Sequence, residues 1–184
     1  MNFELETRLE EAMISPELLR RYPFFANLSH EHLLTLAQLT HEESVEAGHT
    51  FFQTGDDLHK LYLVVEGIAA IVIEVPDGGV EQSVSGQLTG TFQTKDVVVS
   101  AIGPGEVFGW SALVSPHTAT AAARATTPCR VIALDCRELR QVFRQDCRFG
   151  YLMMEKIAHI IRERLRDTRI ESLAHVIEKT PVAD

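Results

Sequence analysis

Cysteine is scarce in this chain: three in 184 residues, at Cys129, Cys136 and Cys147. An odd count with no Cys-x-x-Cys spacing excludes a disulfide framework and a cysteine-based zinc site. Each cysteine is expected to be a small buried apolar residue. Positive charge is also short, with 17 Lys and Arg against 26 Asp and Glu and a net charge of -9. Such a surface repels phosphate backbones, so no nucleic acid partner is expected. The one basic cluster is Arg162, Arg164, Arg166 and Arg169. Glu163, Asp167 and Glu171 interleave with it, which predicts a solvated helix face with i,i+4 pairs. No apolar run is long enough to cross a bilayer. The acidic start, Met1 to Glu11, lacks the basic head and apolar core of a signal peptide. The expectation is a cytoplasmic protein with no membrane partner.

Enzyme signatures are missing as well. There is no Gly-x-Ser-x-Gly elbow, Walker loop or dinucleotide fingerprint. His30-x-His32 is not a metal pair, because i and i+2 on a helix do not face each other. His41, His49 and His59 fall at strand ends or turns, with no carboxylate at ligand spacing. A metalloenzyme built on a β-roll needs His-x-His on a strand with a downstream Glu and His. No metal, no catalytic residue and no enzyme activity are therefore expected.

The chain does carry well-punctuated periodicity. Ser15-Pro16 reads as N-cap and first residue of a short helix that Pro23 ends. Ser29 caps a second helix, with Glu31 in its first turn and Leu33, Leu36 and Ala37 as its apolar stripe. From Glu42 to about Leu134, short apolar runs alternate with Gly, Asp and Pro, the pattern of an all-β barrel or roll. Val80 to Lys95 is rich in Gln, Ser, Thr and Gly and reads as an extended hairpin or excursion. Helical period returns at Arg137 to Arg144 and again from about Arg148. In that second helix Met154, Ile157, Ile161 and Leu165 form a narrow apolar stripe, continued by Ile170, Leu173 and Ile177. Such a stripe suits packing on the roll or on a second copy of the chain.

Three motifs follow one another in the strand region. Gly48, Phe52 and Gln53-Thr54-Gly55-Asp56 come first. Leu61-Tyr62-Leu63-Val64-Val65-Glu66-Gly67 follows, and then Gly103-Pro104-Gly105-Glu106-Val107-Phe108-Gly109-Trp110-Ser111-Ala112-Leu113. In this order they resemble the cyclic nucleotide-binding domain, over roughly residues 20 to 170. The resemblance implies a mainly β fold, a double-stranded β-helix or jelly roll, with helices before it and a long helix after it. The organisation expected is a helical segment over 1–22, the roll over 23–147, and the long helix with its tail over 148–184. Independently of the resemblance, Gly109 followed by Ser111-Ala112-Leu113 predicts a glycine turn opening one helical turn. Free N–H groups at such a start can face an anion.

The resemblance implies that the ligand is held by Phe108, Gly109, Trp110, Ser111, Ala112 and Leu113 together with Thr118, Ala119, Thr120 and Ala121. Two of these depart from the family pattern. Trp110 stands where ligand-binding members carry a glutamate that accepts from the ribose hydroxyl. Ala119 stands where they carry the arginine that pairs with the cyclic phosphate. Arg124, the nearest arginine, belongs to the next strand. The cassette is therefore degenerate. The expected ligand is a cyclic nucleotide bound weakly, another small anion, or none. A homodimer through the C-terminal helix, at Met154, Ile157, Ile161 and Leu165, is the expected assembly. The family's activators carry a helix-turn-helix domain after the long helix. This sequence stops at Asp184, so direct DNA binding is not expected.

Overall fold

A computed structural model describes residues 14–76 and 94–179. The sequence-based expectations for 1–13, most of 80–95 and the tail after Lys179 lie outside the described residues. So do the side chains of Leu173 and Ile177.

The N-terminal elements form where their caps dictate. Helix α1 (Pro16–Arg20) starts at Ser15, whose hydroxyl accepts from the Leu18 amide at 3.2 Å. A 3-10 turn follows at Pro23–Phe25. Helix α2 (His30–Gln38) is capped by Ser29, which accepts from the His32 amide at 3.1 Å. Its stripe of Leu33, Leu36 and Ala37 is buried, as the spacing requires.

Among the described residues eight strands come next: β1 (Thr40–Val45), β2 (Thr50–Phe52), β3 (Lys60–Glu66), β4 (Ala69–Pro76), β5 (Thr94–Ile102), β6 (Val107–Phe108), β7 (Ala122–Ala125) and β8 (Cys129–Asp135). They pair antiparallel into two four-stranded sheets, ordered β1-β8-β3-β6 and β2-β7-β4-β5. This is the expected mainly β roll with flanking helices. Its core holds Leu61, Leu63, Ile102, Phe108, Ile132 and Leu134, each 2 % exposed or less. Gly67 turns β3 into β4 at φ +86°, with the Pro128 carbonyl 2.2 Å from where a Cβ would stand. Only glycine fits that approach.

The chain divides into two compact units between Leu139 and Arg140, inside helix α3 (Cys136–Gln145). In the second unit, Asp146 opens helix α4 (Cys147–Lys179) by accepting from the Phe149 amide at 2.9 Å. Gly150 lets Phe143 and Phe149 meet edge to face, with ring centroids 5.3 Å apart. Phe149, Met153 and Ile157 are fully buried, whereas Met154 and Leu165 are exposed and Ile161 is intermediate. Ile157 is thus covered already in the single chain, whereas its stripe neighbours Met154 and Leu165 are open to solvent. The basic cluster lies on an exposed face, as expected, but there Arg162 pairs with its neighbour Glu163 and Arg166 with Glu163 at i,i+3, not at the i,i+4 spacing expected. Cys129 and Cys136 are buried thiols, as expected. Cys147 is exposed at the start of α4, against expectation, because the first helical residue there faces solvent.

Candidate ligand cradle

Strand β6 positions the site. Phe108 lies opposite Tyr62 of β3, and the two rings stack at 5.0 Å with 14° between planes. Phe51 meets Phe108 edge to face at 5.0 Å, and Phe52 adds a fourth ring at 6.2 Å. Such offset and edge contacts satisfy the ring quadrupoles while burying large apolar area. The chain then reverses at Gly109, φ +79°. A Cβ there would sit 2.9 Å from the Lys60 carbonyl oxygen and 3.5 Å from Phe52. Both the turn and the close approach require glycine.

One 3-10 turn follows at Trp110–Ala112, as expected. The Ala112 amide donates to the Gly109 carbonyl at 3.0 Å, and the Leu113 amide to the Trp110 carbonyl at 3.0 Å. The first amides of such a turn have no partner within it. Ser111, Ala112 and Leu113 are buried, while Trp110 is half-exposed.

The loop from Leu113 to Ala121 is pinned from two sides. The His117 amide donates to the Val114 carbonyl at 2.9 Å, and the His117 carbonyl accepts from the Leu58 amide at 2.7 Å. Thr118 bridges to Asp57. The Ala119 amide donates to Asp56 and its carbonyl accepts from Gly55, both at 2.8 Å. The Gly-Asp turn and the 117–119 segment therefore run side by side. Ala119 is 3 % exposed, Thr118 and Ala121 are half-exposed, and Thr120 is exposed. Phe52 links the two halves, since it pairs with Ala123 of β7 and its ring stands 3.5 Å from where a Cβ on Gly109 would lie.

Arg124 does not enter this space. It sits on β7 between the buried Ala123 and Ala125, so alternation turns it to the opposite, solvent face. There it donates to Asp96 of β5 at 2.5 Å. Arg130 of β8 is likewise committed, to Glu42 at 2.9 Å and to Glu66. Arg137 of α3 pairs with Asp135 at 2.8 Å.

A charged network on the first sheet went unseen in the sequence. Glu43 accepts from Lys60 at 2.6 Å and from His41 at 2.7 Å. His41 thus has a carboxylate hydrogen-bond partner, because i and i+2 share one face of a strand. The signal was His41-x-Glu43 itself. Burial pushes the Glu43 carboxyl up, but the Lys60 and His41 contacts together hold it below its ordinary value. Burial pushes the Tyr62 phenol well above its ordinary range, with the charges of Glu43 and Cys136 adding. Tyr62 thus stays a neutral, stacking ring. No group of His, Cys, Asp and Glu suited to a metal ion occurs among the described residues.

Residues 42–146 match the cyclic nucleotide-binding domain family. A CRP-like cAMP-activated global transcriptional regulator of Mycobacterium tuberculosis is 23% identical over 161 residues, 88% of this chain. The chain spans 62% of that relative's length. A candidate cyclic nucleotide-binding protein from Geobacter metallireducens is 30% identical with a TM-score of 0.66, covering 83% of this chain and 99% of that one. The N-terminal domain of a transcriptional regulator from Streptomyces coelicolor is 26% identical with a TM-score of 0.59, covering 79% and 90%. The roll, its glycine-hinged turn and this match over more than half its length agree: the chain belongs to the cyclic nucleotide-binding domain family.

Proposed function

We propose that the protein is a non-enzymatic sensor module with a degenerate cassette, which holds a cyclic nucleotide weakly or takes another small anion. The observation that carries this reading is Ala119. It is buried at the position where the family pattern has its phosphate-pairing arginine. The arginines of the neighbouring strands are spent on Asp96, Glu42 and Glu66. An arginine–phosphate bond is charge-assisted and contributes about 1.5–3 kcal/mol, roughly ten- to a hundredfold in affinity. Trp110 in place of the ribose acceptor removes a second polar anchor. In exchange it offers an indole surface on which a flat ligand can stack.

The ligand in this reading sits against Phe108, Gly109, Trp110, Ser111, Ala112 and Leu113 on one side and Thr118, Ala119, Thr120 and Ala121 on the other. The amides opening the 3-10 turn face its negative charge. The occupied state is read out through the C-terminal helix by a partner protein or by a second copy. Met154, Ile161 and Leu165 recur on one stripe of α4, with Met154 38 % and Leu165 50 % exposed. An apolar stripe of that kind supports a dimer face. The likeness to a cAMP-activated regulator supports a place in cytoplasmic signal transduction.

Isothermal titration of the full chain tests the sensor reading. The ligands are cyclic AMP, cyclic GMP and a panel of phosphate- and carboxylate-bearing metabolites. Heat from at least one, with a matching change in Trp110 emission, supports it. A flat response throughout would leave only an assembly scaffold. Sedimentation at micromolar concentration tests the dimer, and a monomer there counts against it.

A further inference from the structure

Three observations converge on His117. It is one of two non-glycine residues with positive φ, at +66°, among the described residues. Left-handed backbone is uncommon at a residue with a Cβ and persists where surroundings enforce it. Here they do: its amide is held by Val114 and its carbonyl by Leu58. Finally, its ring Nδ1 is shielded from solvent and has no hydrogen-bond partner. A shielded polar atom left unpaired is costly and calls for a partner; the other such atom among the described residues, His32 Nδ1, lies on α2.

The residue's place gives these observations a direction. His117 lies on the loop that leaves the 3-10 turn and reaches Ala119 two residues later. It is the only histidine between the turn and β7. An imidazole N–H is a directional donor that suits an anionic oxygen. We infer that His117 is the anion-reading residue of the cradle: its Nδ1–H donates to a phosphate or carboxylate oxygen of the small ligand, in the role left open at Ala119. The inference rests on the ligand-binding reading above.

The test uses the full chain and its single tryptophan, Trp110, as a reporter inside the cradle. Cyclic AMP and uncharged adenosine are titrated separately while emission is followed. Two variants keep the backbone tolerated. His117→Asn retains an N–H at the same bond separation from Cα, and asparagine accepts positive φ. His117→Gly accepts it more readily and has no donor. The wild type is expected to prefer cyclic AMP over adenosine. His117→Asn keeps that preference to within about threefold, and His117→Gly loses about tenfold of it, with adenosine binding unchanged. A preference unchanged in His117→Gly, or absent in the wild type, overturns the role of His117 and leaves the cradle a ligand site. Silence of Trp110 toward both probes overturns the ligand reading itself, and His117's role with it.

Discussion

Phe108 and Gly109, on the floor of the cradle, are each fixed by more than one constraint. Trp110, Thr118 and Thr120, on its rim, keep contact with solvent. The floor joins three rings, a strand pairing and a turn that only glycine can make. Its residues hold the two sheets together whether or not a ligand is present. On the rim the one deeply buried side chain is Ala119, which has no polar atom to offer. The difference teaches that packing in this roll is concentrated in the floor, while the rim is left to side chains that face solvent.

Damage to the floor should be the most severe. Phe108→Ala removes the central ring of the stack, and we expect a loss of about 3–5 kcal/mol. In a chain of this size the melting midpoint falls on the order of 10 °C, measurable by circular dichroism. Gly109→Ala comes next. It imposes positive φ on a residue with a Cβ and presses that Cβ toward the Lys60 carbonyl. A loss of about 2–3 kcal/mol is expected in urea unfolding. If either variant melts like the wild type, the floor does not carry the fold.

The Glu43 network lies between these extremes. Its carboxyl is held below its ordinary value, so it stabilises the fold above the unfolded-state value near 4.5. That contribution fades as pH falls through the lower folded value. Glu43→Gln should therefore cost roughly 1 kcal/mol at pH 7, a modest figure because Lys60 is partly exposed. The cost should vanish in acid, and urea midpoints compared at neutral pH and in acid check this. An equal cost at both would mean that the charge is not what matters. Thr120→Ala, on the exposed rim, should change stability by less than about 0.5 kcal/mol. A larger loss would erase the contrast between floor and rim.

Much of this was legible in the sequence. Ser15-Pro16 and Ser29 marked their helices because a cap is a local event. The glycine turns showed because positive φ leaves few alternatives. Gly109 with Ser111-Ala112-Leu113 announced the 3-10 turn in the same way. What could not be read depended on partners distant in the chain. The commitment of Arg124 to Asp96 needs the register that sets β7 beside β4 and β4 beside β5. The division of labour on α4, with Ile157 inward and Met154 and Leu165 outward, needs to know which neighbouring stripe is covered. The left-handed backbone of His117 and its shielded Nδ1 leave no mark in composition or spacing.

The central claim is that the cradle is sound but lacks its guanidinium. Cyclic AMP titration of the wild type and of Ala119→Arg, followed by Trp110 emission and with melting curves confirming that both are folded, tests it most directly. We expect the variant to bind at least about tenfold more tightly. A wild type that already binds as tightly as Ala119→Arg would contradict the claim.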